Sequence, residues 1–100
     1  MNLQILSLAE TDLLVGFQFY ERQATGVGWY FFETLHSDIE SLRLYAGIHP
    51  LVFGYHRLLS KRFPFAIYYD VFEENTRVWR VLDCRRDPQW IRRELKKSRG

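Results

Sequence analysis

Residues 55–88 constrain the fold more than any other stretch. Two β-rich runs, Phe65–Phe72 and Thr76–Cys84, are separated only by Glu73-Glu74-Asn75. A polar connection this short, ending in an Asn that tolerates left-handed backbone, joins antiparallel neighbours in a β-hairpin. Basic residues bracket the hairpin, with Arg57, Lys61 and Arg62 before it and Arg85 and Arg86 directly after. A stiff sheet carrying them presents two basic clusters, which suit a polyanion or an acidic protein surface.

The remaining segments follow from periodicity and turn chemistry. Leu3–Leu6 reads as an opening strand, and Ser7 with Glu10 fits a capping box at the start of a helix. Leu13, Phe17, Tyr20 and Ala24 continue at helical spacing and mark its apolar stripe. Gly16 either permits close approach of the next helix or is a tolerated defect, at about 1 kcal/mol relative to Ala. After the turn residues of 24–28, a second helix is expected from Val27 to Ala46, burying Phe31, Leu35, Ile39, Leu42 and Ala46, with Gly47 as its stop. The short link makes the two helices an antiparallel hairpin. Ile48-His49-Pro50 begins an irregular connection that ends near Gly54, where a strand over 55–62 starts. Asp87 caps a last helix that Pro88 opens and that runs from Gln89 to about Lys97. The order β-α-α-β-β-β-α places the chain in the α+β class, with a helical hairpin packed on an antiparallel sheet and a short basic C-terminal helix.

One hundred residues form one domain, 1–100, and a 47% apolar content with 17% aromatics supports a folded core. The formal charge of +2 conceals an asymmetry. Residues 85–100 carry seven Lys/Arg against two acids, whereas residues 1–84 carry seven basic and ten acidic side chains. The tail makes the protein basic. A single cysteine, Cys84, cannot form an internal disulfide, which fits a reducing cytoplasm, and the expectation is a buried, inert thiol. No signal peptide is visible, and no run approaches the roughly 18 apolar residues that a membrane span needs.

His36, His49 and His56 are scattered without metal-ligand spacing, and no Cys-x-x-Cys or phosphate loop occurs, so neither metal nor cofactor is expected. Alternation along residues 55–62 puts Tyr55, Arg57, Leu59 and Lys61 on one face and His56, Leu58, Ser60 and Arg62 on the other. Metal-free RNA cleavage needs a base for the 2′-hydroxyl, cations for the phosphorane and an acid for the leaving oxygen. His56, Arg57, Arg62, Arg85 and Arg86 are the residues able to supply these. The other reading of the same cations is a solvated rim that keeps the sheet edge from aggregating. Trp79 alternates with Arg77, Val81, Asp83 and Arg85 and is expected in the core or under a helix, with base stacking as the alternative. Trp90 is expected to anchor the last helix, whose Arg92, Arg93, Lys96 and Lys97 suit nucleic acid or an acidic partner segment.

The pattern resembles the RelE/ParE superfamily of toxins from bacterial toxin–antitoxin modules. The resemblance rests on Gly47-Ile48-His49-Pro50 through Phe53–Leu59, on Arg62–Tyr69, on Val81–Pro88 and on the upstream Gly16–Gln23. The RelE-like branch implies a ribosome-dependent mRNA endonuclease, in which Arg57 falls near a basic strand position and Arg86 near the terminal arginine, with His56 and Arg62 as further candidates. Where that branch has a catalytic arginine after an aromatic, this chain has Ala66 after Phe65, and no tyrosine follows Tyr69. The ParE-like branch implies binding to DNA gyrase without chemistry, and either branch implies a cognate antitoxin. The resemblance thus implies a toxin closer to ParE, whose Arg57, Lys61, Arg62, Arg85, Arg86, Trp90, Arg92 and Arg93 contact target or antitoxin.

Overall fold

A computed structural model describes residues 2–100. The expected hairpin is present as β4 (Phe65–Phe72) and β5 (Asn75–Asp83), antiparallel to each other. Its turn is tighter than the sequence suggests. Phe72 is the register partner of Asn75, so only Glu73 and Glu74 connect the strands. Glu73 takes the left-handed backbone, at φ 57°, in place of Asn75. Asn75 instead joins the sheet and accepts a 3.2 Å side-chain hydrogen bond from Asn2.

Five strands lie in the order β1-β5-β4-β3-β2, with β1 at Asn2–Ile5, β2 at Leu51–Val52 and β3 at Tyr55–Leu59. The meander β2–β5 is antiparallel, while β1 runs parallel to β5 at the edge, so the sheet is mixed. Strand β2 was not expected, because two residues are too few for alternation to show. It pairs Leu51 with His56 and Val52 with Tyr55 around a two-residue loop, Phe53-Gly54.

The helical hairpin consists of α1 (Ser7–Gln23) and α2 (Val27–Glu40). Ser7 is not its cap: Leu6 occupies that position with no side-chain cap bond, and the Ser7 carbonyl accepts from the Thr11 hydroxyl. Ala24 lies past the helix end and is exposed, so the stripe stops at Tyr20. The expected single helix to Ala46 is broken at Ser41, whose Oγ donates to the Asp38 carbonyl at 2.6 Å. Serine back-bonding of this kind competes with the helical ladder. A four-residue helix, α3 (Leu42–Tyr45), follows, and Gly47 at φ 93° ends the run. Phe31, Leu35, Ile39 and Leu42 are fully buried as their spacing predicts.

Gly16 has a packing role. A Cβ there would stand 2.5 Å from Cζ of buried Phe31, so the helices approach closely because position 16 has no side chain. Tyr20, Phe31, Phe63 and Phe65 form a connected ring cluster in this layer, with centroids 4.9–5.1 Å apart for the closest pairs. Such pairs contribute about 0.5–1.5 kcal/mol each beyond area burial.

The sheet has helices on both faces. Phe65, Ile67, Tyr69, Val78 and Val81 face the helical hairpin, whereas Tyr55, Ala66, Tyr68 and Leu82 face Ile91 and Leu95 of α4 (Pro88–Ser98). Asp87 caps α4 by accepting from the Gln89 amide at 2.9 Å, with Pro88 in the first turn, as the sequence indicates. A bulge changes which residues share a face. Tyr68 pairs with Arg80 but Tyr69 with Val78, leaving Trp79 as the extra residue. Val81 therefore joins the hairpin core while Trp79 packs beneath α4, so the two expected on one face are on opposite ones.

Candidate functional site

The sheet separates the cations that sequence reasoning treats as a rim. Arg57 lies on β3 opposite Tyr68, on the face that α4 covers, and its Nε is buried without a hydrogen-bond partner among the described residues. Burial pushes the Tyr68 hydroxyl above its usual range, and Arg57 beside it offsets part of that rise. Lys61 and Arg62 occupy the β3–β4 loop and face α2. Arg62 Nη1 donates to the Tyr30 hydroxyl at 2.9 Å, and both cations line a polar cavity of about 510 Å³ with Glu33, Ser37 and Asp38.

At the far end of β5, Arg85 is held by its own strand. Its guanidinium donates to Asp83 at 3.0 and 2.7 Å, which raises the Arg85 pKa and lowers that of the carboxyl. Arg86 instead stacks on Trp90, with its guanidinium carbon 3.7 Å from the ring centroid. Together they border an apolar groove of about 330 Å³ between α1 and α4, with Val15 and Phe19 on the opposite wall. Arg92 and Arg93 are exposed on α4. Among the described residues they enter no ion pair, unlike Lys97, which lies 3.6 Å from Glu94. The half-buried Trp90 packs against the cluster that Ile91 and Leu95 of α4 form with the sheet, which anchors the helix.

His56 does not join Arg57. It stacks on Tyr69 at 5.1 Å on the hairpin side of the sheet, and its Nδ1 bonds the His49 carbonyl at 2.7 Å. The buried Tyr69 hydroxyl accepts from the Gly47 amide at 2.9 Å and contacts His49 Nδ1. Burial first, and then His56, holds the His49 pKa below that of an ordinary histidine. The imidazoles and Arg57 thus lie on opposite faces of one sheet, and no single substrate atom can touch both.

Cys84 corrects another expectation. It is exposed rather than buried, because β5 ends at Asp83 and the chain turns away after it. Local desolvation nevertheless raises the thiol pKa, so the nucleophilic thiolate is disfavoured near neutrality.

No protein-family model and no curated protein sequence matches the chain. Among solved structures it is similar to a chain of "Chromosomal ParDE TA system from P. aeruginosa", with a TM-score of 0.74 at 20% identity, over 81% of this chain and 92% of that one. The chain shares the fold of that ParDE chain. In this example of the fold, Ala66 is completely buried among Tyr55, Tyr68 and Leu82 beneath α4. A long basic side chain at that position has no room. The position that the RelE-like resemblance reserves for a catalytic arginine is here part of a hydrophobic layer.

Two polar clusters within the fold escaped sequence reasoning. Arg80, 7% exposed, donates to Asp12 at 2.7 and 3.0 Å and to Glu94 and Ser98 at 3.1 Å each, tying α1 and α4 to β5. Arg77 and Arg99 converge on Asp70 at 2.7 and 3.2 Å, beside Trp79. Partial burial works to raise the Asp70 pKa, but Arg77 and Arg99 outweigh it and the carboxyl titrates below its usual range. Strand spacing carries no signal for the Arg80 contacts, since its partners come from distant helices, whereas Asp70 and Arg77 are register partners across the β4–β5 hairpin. Among the described residues no group of three or more potential metal ligands occurs, and no helix is long and apolar enough to cross a membrane.

Proposed function

We propose that this protein is the toxin of a toxin–antitoxin module and that it inhibits growth by binding a macromolecular target, with DNA gyrase as the expected one, rather than by cutting RNA. The observation that carries the reading is the separation of His56 from Arg57 by the full thickness of the sheet. General acid–base catalysis needs proton donor, acceptor and charge stabiliser around one reacting centre. Tyr68, the hydroxyl nearest Arg57, is only 2% exposed and does not reach a substrate. Binding without chemistry requires none of this geometry.

The ParDE neighbour supports an antitoxin partner for this chain. Of the candidate contact residues, Arg86, Trp90, Arg92 and Arg93 lie together on and beside α4 and form the contact surface in this reading, whereas Arg85 is paired with Asp83, Arg57 lies on the face that α4 covers, and Lys61 and Arg62 face α2. Arg86 stacked on Trp90 supplies the anchor of this surface, since aromatic and arginine side chains dominate interface energetics. An acidic antitoxin segment is drawn to the unpaired cations of α4.

The test is controlled expression in a bacterial host while DNA and protein synthesis are followed separately with labelled precursors. An early fall in DNA synthesis with translation intact is expected. An early fall in translation overturns the reading in favour of ribosome-dependent mRNA cleavage, and unimpaired growth reduces the protein to an antitoxin-binding chain.

A further inference from the structure

Phe53 does not suit its own turn. Phe53 and Gly54 form the two-residue loop between β2 and β3, with φ angles of 52° and 84°, so both central residues are left-handed as a type I′ turn requires. Asn-Gly fills such a turn with little strain, whereas a bulky aromatic there is a backbone outlier. Burial does not compensate, because Phe53 is 46% exposed and makes no ring contact among the described residues. A strained, exposed aromatic without a packing role is the kind of local inconsistency that binding sites carry.

The surroundings of the ring point to a ligand class. A groove of about 540 Å³ runs between this turn and α4, lined by Phe53, Tyr55, Arg92, Leu95, Lys96 and Arg99. Arg92 and Lys96 lie one helical turn apart, about 6 Å along the axis, and form no ion pair among the described residues. The Arg99 guanidinium is fixed 4.4 Å from the Tyr55 ring centroid, with Asp70 3.2 Å away. The groove therefore presents one free aromatic face beside a row of cations.

We propose that this groove binds single-stranded nucleic acid, with a base stacked on Phe53 and the phosphodiesters running along Arg92 and Lys96. Stacking platforms beside cationic tracks are how sequence-tolerant single-strand binding is built. A duplex keeps its bases stacked internally, out of reach of the ring. An acidic peptide engages the cations but gains nothing specific from an open phenyl face. The inference shares the cations of α4 with the toxin reading but rests on the Phe53 turn, which that reading does not use, so Phe53→Asn separates the two.

Fluorescence anisotropy of the full chain with labelled oligouridylate and oligodeoxyuridylate, each of roughly twelve nucleotides, tests the proposal at about 50 and 200 mM salt. Both strands are expected to bind, more weakly at the higher salt. Phe53→Asn is expected to raise the midpoint of thermal unfolding, because Asn suits the turn, while weakening binding about tenfold. Arg92→Glu with Lys96→Glu is expected to abolish binding. Tighter binding of the ribose oligomer assigns RNA as the source, tighter binding of the deoxyribose oligomer assigns DNA, and either supports the groove. Unchanged affinity in Phe53→Asn overturns the proposal, as does absence of binding at the lower salt. Equal, Phe53-dependent binding of polyglutamate overturns it in favour of an acidic protein.

Discussion

Arg80 and Asp12 are 68 residues apart in the chain, yet the guanidinium grips the carboxylate with two hydrogen bonds, of 2.7 and 3.0 Å, in an interior site. Asp12 also accepts from the Val81 amide at 2.9 Å, so one carboxylate holds both the side chain and the backbone of β5. Removing Asp12 leaves Arg80 with Glu94 as its counter-charge, and removing Arg80 leaves the Asp12 carboxylate with the Val81 amide. Asp12→Ala is expected to cost about 3 kcal/mol of unfolding free energy, measured by urea denaturation. Adding Arg80→Met should recover part of that loss, and a double mutant no more stable than Asp12→Ala would show that the pairing is not the source.

Gly16 meets Phe31 so closely that the smallest added side chain collides with the ring, at 2.5 and 2.6 Å. Gly16→Ala gains about 1 kcal/mol in helix propensity and loses about 1–3 kcal/mol to overpacking. A lowered melting temperature is expected. Phe31→Leu is destabilising alone but should be tolerated better in the Gly16→Ala background, which calorimetry of the four proteins would show.

The depressed pKa of His49 makes stability depend on pH. Between the folded-state value and the unfolded value of about 6.5, the unfolded chain binds a proton that the folded chain refuses. The His49 contribution is complete above that window and is lost as pH falls through it toward the folded pKa. The charged and titratable neighbours are His56 on β3 and Tyr69 on β4. His49→Asn keeps a polar group beside the Tyr69 hydroxyl but does not titrate. Urea midpoints of the variant should therefore fall less than those of the parent between about pH 7.5 and 5.

Arg85 and Arg86 are adjacent, but only one is available to a partner. Arg85 is committed to Asp83, whereas Arg86 lies on the Trp90 ring beside an open groove. In the proposed binding role, Arg86→Ala is expected to weaken target affinity about tenfold or more and relieve growth arrest. Arg85→Ala should leave arrest nearly intact. Equal effects of the two substitutions would place the contact elsewhere.

The long elements were legible in the sequence because period and capping agree with tertiary packing. Leu35 and Ile39 fall where the helical stripe puts them, and Asp87-Pro88 starts α4 where turn chemistry says. What was not legible depends on contacts made across the fold. The bulge at Trp79 separates it from Val81, and no local pattern marks a bulge within an unbroken strand-like run. At Ser41 the failure is local instead: a hydroxyl bond to the Asp38 carbonyl marks the end of α2, although Leu42 continues the buried stripe. The candidate site was legible in composition but not in geometry. Arg57, Arg62 and Arg86 were visible as cations, whereas their distribution over both faces of the sheet follows from strand order and loop direction.

The parallel pairing of β1 with β5 sets the order in which the molecule can be completed. Asn2 and Asn75, which pair at the sheet edge, are 73 residues apart. A chain emerging from the ribosome makes β1 well before β5 and must wait for β5 before β1 has a place to dock. The helical hairpin needs no such delay, since its contacts are local. The native sheet, and every surface built on it, therefore forms only after β5 has been made, and products truncated before β5 lack it.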